Sequence, residues 1–263
     1  MKNLTRRIYE AICRFLALRG IYLFVAKISA RNQPEAINRA LWTPFVVDDE
    51  WRSVYKCAQT ITNGDATDNL LRQCRLYSTL QMADYSAKLP AGDVIECGCW
   101  HGHSTVAIAT ILAQHGFAGR FHVFDSFEGG LSAFTAKDES AFKLSEQEKR
   151  EIRQMFVSKH EFVQSITGKF GFVELHRGWI PDIFKSFQLT PLRYVHVDVD
   201  LYDPTLASLE FFWDSLVDGG CIVIDDYNYG PFEGATRAVD EFVRGRRMRQ
   251  FYKVPLGSCY LVK

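Results

Sequence analysis

Carboxylates in two short runs are the side chains here whose spacing could do chemistry. HVDVDLYDPT (196–205) carries Asp198 and Asp200, and IVIDDYN (222–228) carries Asp225 and Asp226. Side chains alternate along a strand, so His196, Asp198 and Asp200 are expected on one side near its carboxyl end. Asp225 and Asp226 close the next strand-like run, which should pair with the first at about 4.8 Å. Four carboxylates would then crowd one crevice, and like charges that close need a counter-charge. An all-oxygen set suits a hard divalent cation such as Mg²⁺ more than zinc. The competing reading makes two of these acids helix caps or ion-pair partners, as Asp203 before Pro204 would be.

A second constellation lies upstream in VIECGCWHGHST (94–105). Gly98 suits a tight turn, Gly102 permits close approach to a ligand, and a helix starting near Ser104 offers free N–H groups to an anion. Glu96 would repel a pyrophosphate but accept the ammonium and sulfonium of an amino-acid tail. The alternative is a glutamate fixed by loop N–H groups. Asp125 ends the next strand, where an acid accepts ribose hydroxyls, with Ser126 beside it. Trp179, in HRGWIPD beyond the third strand, could cover an adenine ring or sit in the core. A dinucleotide loop wants G-x-G-x-x-G, and the third glycine is missing here. S-adenosylmethionine is therefore favoured over NAD.

The elements that must position these residues alternate along the chain. Strands are expected at 93–97, 121–125, 172–176, 192–199, 220–225, 249–254 and 258–262. Helices are expected at 70–89, 104–115, 204–216 and 233–244. Apolar strands alternating with helices predict an α/β fold, a doubly wound and mostly parallel seven-stranded sheet. The short turn at 255–257 makes the last two strands an antiparallel hairpin. Residues 1–69 read as an N-terminal helical extension and 70–263 as the main domain. The polar insertion at about 131–163 is a candidate lid or a solvated helical excursion.

Composition bounds the rest. Of the 263 residues, 47% are hydrophobic and 24% charged, enough for a globular core. The 31 Lys plus Arg equal the 31 Asp plus Glu, which argues against a nucleic-acid partner. Seven cysteines without zinc-site spacing read as reduced thiols, hence a cytoplasmic protein. The apolar stretch 11–30 is broken by Arg14, Arg19 and Lys27, too often for a spanning helix. It reads as a basic amphipathic helix, packed on the domain or on a second subunit of a homo-oligomer, with contact to anionic lipid as the sharper reading.

Together VIECGCWHGHS, VFDSFEGGL, HRGWIPDIF, HVDVDLYDPT and GGCIVIDDYN resemble the macrocin O-methyltransferase family over about 70–263. The resemblance implies a Rossmann-like class I methyltransferase fold. It also implies S-adenosylmethionine- and Mg²⁺-dependent methylation of a sugar hydroxyl on a glycosylated small molecule. By it, Asp198, Asp225 and Asp226 hold the metal and Asp200 is the general base. The cofactor set is Glu96, Gly98, Gly102, Ser104, Asp125, Ser126 and Trp179. The chain departs from the family at His101-Gly102-His103-Ser104, usually Arg-Gly-Gly-Ser, and at Gly129-Gly130-Leu131, generally Gly-Leu-Pro. Rival readings are catechol-type O-methyl transfer, a nicotinamide-dependent sugar oxidoreductase or epimerase, and a non-catalytic carbohydrate-binding module.

Overall fold

The apolar runs pair into one sheet, and amphipathic helices cover its two faces. The computed structural model describes residues 49–62, 70–139, 144–228, 233–254 and 257–263, all within the compact unit Pro44–Lys263. Before the sheet come α1 (Asp49–Thr62) and α2 (Leu70–Ala87). Then follow β1 (Asp93–Cys97), α3 (His103–Gln114), β2 (Phe121–Asp125), α4 (Glu146–Met155), α5 (His160–Thr167) and β3 (Val173–Arg177). The second half holds β4 (Leu192–Val197), α6 (Tyr202–Phe212), β5 (Leu216–Ile224), α7 (Gly234–Val243), β6 (Gln250–Val254) and β7 (Ser258–Val262). Strand order is β3-β2-β1-β4-β5-β7-β6. Pairing is parallel through β5 and antiparallel at β7 and β6. The expected doubly wound sheet with its terminal hairpin is what forms. Its order reverses between β1 and β4, where such sheets bind ligands.

The central strands are buried on both faces, which is why they read as continuous apolar runs. Val94, Phe121, Val123, Tyr194 and Val223 join one core layer, against α1, α2 and α3. Ile95, Cys97, Phe124, Val195 and Ile222 join the other, with Phe212 of α6 and Phe242 of α7. On α1, Trp51, Val54, Tyr55 and Ala58 recur at helical spacing and are all buried, facing α3. Each large side chain in that stripe contributes about 1.5–3 kcal/mol. On α2, Leu76, Leu80 and Ala83 do the same, and the Tyr194 hydroxyl donates to the Thr79 carbonyl at 3.1 Å. This packing lays α2 along β4 and β5, which aims Arg75 at their carboxyl ends.

Boundaries differ where the acids lie. β4 stops at Val197 rather than Val199: the Asp198 N–H still makes the ladder bond to the Cys97 carbonyl at 2.8 Å, and Asp200 then takes a left-handed φ of 60°. β5 starts at Leu216 rather than Gly220 and ends at Ile224, taking in Gly219, which was expected to precede it. α6 begins at Tyr202, whose N–H donates to Asp138 Oδ1 at 2.6 Å. Asp138 belongs to the insertion, and its Oδ2 also accepts from the Thr135 N–H and hydroxyl at 2.7 and 2.8 Å. One buried carboxylate thus pins the insertion to the helix that follows the acids. No described helix is long and apolar enough to cross a membrane. The basic segment 1–32, its expected helix and Cys13 lie outside the described residues. The six described cysteines are free thiols.

Candidate active site

A cavity of about 330 Å³ opens at the carboxyl ends of β1 and β4, within the usual size range of ligand sites, roughly 300–1,000 Å³. Gly98 follows β1 with φ +84°, and a Cβ there would lie 1.9 Å from the Asp198 carbonyl oxygen. Only glycine lets this loop pass against the acid-bearing turn. Asp125, at the end of β2, then ties the loop down. Its Oδ2 accepts from the N–H groups of Cys99 and Trp100 at 2.7 and 3.0 Å, and its Oδ1 from that of Phe127 at 2.6 Å. Burial raises the pKa of the Asp125 carboxyl, and these N–H groups oppose the rise. With three acceptor positions taken, the carboxylate keeps room for about one ligand hydroxyl.

Gly98, Ser104, Asp125, Ser126 and Trp179 line the cavity together with Asp198, Asp200, Asp225 and Asp226. The structure does not bring Glu96 or Gly102 to its wall. Glu96 is fully buried; its Oε2 accepts from the Thr105 hydroxyl and its Oε1 lies 3.0 Å from His196 Nδ1. Both oxygens are engaged, so Glu96 acts one layer behind the cavity. Burial alone would lower the pKa of His196. The hydrogen bond and charge of Glu96 overcome it and lift the imidazole to about 9. His196 Nε2 is buried without a partner, and the residue itself lines the cavity. At Gly102, with φ +79°, a Cβ would lie 3.1 Å from Ile166 and 3.4 Å from Val163 of α5. Its missing side chain serves helix packing rather than close approach to a ligand.

The acids converge, by a different route from simple strand alternation. One carboxylate oxygen from each of Asp198, Asp200 and Asp226 lies within 4.8 Å of the others. The turn at Asp200 makes this possible, and a non-glycine residue held at positive φ costs about 1–3 kcal/mol. Asp225 is turned toward Arg75, whose Nη1 lies 3.2 Å from both Asp225 Oδ2 and Asp226 Oδ1. Burial, then the charge of Asp225, pushes Asp198 up to about 7. Burial with the charges of Asp226 and Asp225 lifts Asp200 well above the carboxylate range. Asp226 rises similarly, through burial and the charge of Asp198. A crowded all-oxygen set that holds protons for want of positive charge fits a hard divalent cation.

Sequence reasoning missed Arg75. It sits on a helix before the first strand, and its signal was an arginine within the buried row Arg75, Thr79, Ala83 and Ser86, tolerable only opposite an acceptor. It also missed Arg72, whose guanidinium lies 5.7 Å from the Trp100 ring at the cavity wall. From the insertion, Leu131, Ser132 and Phe156 reach the same wall, and the Trp100 indole N–H donates to the Met155 carbonyl at 3.1 Å.

Known proteins resemble this chain in sequence and in fold. Over 160 residues it is 30% identical to the 8-demethyl-8-(2,3-dimethoxy-alpha-L-rhamnosyl)-tetracenomycin-C 4'-O-methyltransferase of Streptomyces olivaceus, covering 59% of each chain. Over 163 residues it is 26% identical to the demethyldecarbamoylnovobiocin O-methyltransferase of Streptomyces niveus, covering 57% of this chain and 58% of that one. The chain thus spans under two thirds of the length of these curated relatives. Among solved structures, the O-methyltransferase NovP superposes with a TM-score of 0.58 at 23% identity, over 73% of this chain and 80% of that one. The calicheamicin methyltransferase CalS11 does so with a TM-score of 0.54 at 18% identity, over 90% and 99%. Both share the fold. The sequence profile of the macrocin-O-methyltransferase (TylF) family matches residues 75–255, well over half of the 263, and the chain belongs to that family.

Proposed function

We propose that this chain transfers a methyl group from S-adenosylmethionine to a hydroxyl of a glycosylated small molecule, assisted by a divalent cation such as Mg²⁺. The observation that carries this reading is that one cavity is lined by both constellations. Gly98, Ser104, Asp125, Ser126 and Trp179 share it with the aspartate cluster. Trp179 is 39% exposed, and a Cβ on Gly129 would meet its ring at 2.6 Å. One edge of the ring therefore packs against the loop after β2, and the ring can cover an adenine. Asp125 offers its remaining acceptor site to a ribose hydroxyl.

Asp198 and Asp226 would hold the cation, with Asp225 as third ligand in exchange for its Arg75 contact. A cation bound there would lower the pKa of an acceptor hydroxyl and orient it. S-adenosylmethionine would supply a methyl on a sulfonium, released as a thioether when the hydroxyl oxygen takes the methyl, and Asp200, ionised once the cation is bound beside it, would take the hydroxyl proton. Holding oxygen and methyl in line supplies much of the remaining acceleration. The relatives are named for a rhamnosyl-bearing tetracenomycin and for demethyldecarbamoylnovobiocin, which supports a natural-product acceptor. Trp100, also on the cavity wall, offers a ring on which a sugar stacks.

A second reading rests on the convergence of Asp198, Asp200 and Asp226: Asp200 is the third ligand and Asp225 stays on Arg75. Methyl-transfer assays across a magnesium series separate the two. Under the first, Asp225→Asn raises the magnesium requirement and excess metal restores turnover. Asp200→Asn then lowers turnover by roughly 10²–10⁴ at an unchanged requirement. The reverse pattern supports the second reading, and methyl transfer unaffected by either change places the active site elsewhere.

A further inference from the structure

A second group of metal-type ligands lies away from the cavity, where β2 meets the edge strand β3. In the parallel register His122 stands opposite Glu174, and Phe124 opposite His176. His122, Glu174 and His176 therefore share one face of neighbouring strands, and none of them lines the cavity. His122 Nδ1 is 3.0 Å from His176 Nε2 and 3.4 Å from Glu174 Oε2. One ligand atom from each residue converges within 4.8 Å of the others. A tetrahedral zinc with ligands at about 2.0–2.1 Å spaces them about 3.3 Å apart. The two distances at His122 bracket that value.

The surroundings supply what such a site needs. Asp93 Oδ2 lies 3.8 Å from His122 Nε2, which favours the proton on Nε2 and leaves the Nδ1 lone pair toward the other two ligands. Arg120 holds the second oxygen of Glu174 at 3.3 Å, so Oε2 stays available. His176 stacks on Phe124 at 4.6 Å, and the Phe187 ring meets both imidazoles edge-on. Burial lowers the pKa of both histidines, which favours the neutral, ligating form. The Glu174 side chain is 43% exposed, so an ion can enter from solvent.

We propose that His122, His176 and Glu174 form a second cation site, separate from the aspartate cluster, for a borderline ion of the Zn²⁺ class with water as fourth ligand. Two imidazoles and one carboxylate suit Zn²⁺ where four carboxylates suit Mg²⁺. The ion clasps the edge strand to β2 behind Phe124, which itself lines the cavity. Co²⁺ tests this, because a four-coordinate nitrogen-containing site absorbs strongly in the visible and a six-coordinate oxygen site only weakly. Titrated into EDTA-treated full-length chain, Co²⁺ should give strong bands that saturate at one equivalent, vanish on adding Zn²⁺ and survive excess Mg²⁺. Glu174→Gln and His176→Gln should abolish them, and Asp226→Asn should keep them. Glu174 sits on the exposed edge, so its variant reports even if His176→Gln fails to fold. Loss of the bands in folded Glu174→Gln, with Asp226→Asn unaffected, supports the site. Weak bands in the unaltered protein, bands surviving in Glu174→Gln, or bands lost in Asp226→Asn overturn it.

Discussion

Arg75→Met removes the guanidinium that faces the aspartate cluster while keeping much of its aliphatic stem. Nη1 lies 3.2 Å from a carboxylate oxygen of Asp225 and of Asp226. At an effective dielectric constant of about 20, each contact is worth about 5 kcal/mol before desolvation. The whole of that is not lost, because Asp226, already pushed upward, takes up a proton instead. Breaking a buried pair by deleting one partner costs about 3–5 kcal/mol, the range expected here. In a protein of this size each kcal/mol moves the melting midpoint by about 2–4 °C, so Arg75→Met should melt roughly 6–20 °C early. Magnesium at a hundredfold its dissociation constant should return about 2.7 kcal/mol, and the variant should gain more from it than the unaltered protein. Paired thermal melts near neutral pH, in EDTA and in excess Mg²⁺, measure both quantities. A loss below about 1 kcal/mol, typical of a solvated pair, with equal magnesium gains in both proteins would refute the reasoning.

Three further outcomes follow from the same geometry. Asp198 is lifted to about 7, so between the ordinary carboxylate pKa of about 4 and that value the folded state binds a proton the unfolded state releases. In EDTA, stability should therefore fall as pH rises through this window, and Asp198→Asn should flatten the fall in denaturant titrations; an unchanged slope in the variant contradicts the assignment. Asp125→Ala leaves three loop N–H groups without their acceptor and, at about 1–3 kcal/mol for an unsatisfied group, should cost at least about 3 kcal/mol while weakening S-adenosylhomocysteine binding. Trp179→Ala should raise the cofactor KM at nearly unchanged stability, since the ring is 39% exposed; a loss of about 3–5 kcal/mol would mark it as a core residue.

The sheet was legible because its central strands β1, β2 and β4 are apolar and buried on both faces. The aspartates were legible as residue types, but their convergence was not. Alternation along β4 pointed to Asp198 and Asp200 on one side, whereas the strand ends at Val197 and a left-handed Asp200 redirects the chain. Glu96 looked like a ligand contact because burial leaves no mark in sequence; its partner is His196, directly across in the β1–β4 register. Arg75 comes from a helix far upstream, and only its packing on β4 and β5 shows which charge it meets. The triad of His122, Glu174 and His176 needs both strand adjacency and register, neither of which single-chain spacing encodes.

The central claim is that the cavity binds S-adenosylmethionine beside the aspartate cluster. Calorimetric titration of the full chain with S-adenosylhomocysteine, and separately with NAD, tests it most directly. One equivalent of S-adenosylhomocysteine should bind with an affinity that Asp125→Ala and Trp179→Ala both weaken, and NAD should give no heat. Binding of NAD alone, or S-adenosylhomocysteine binding untouched by both substitutions, would contradict the account.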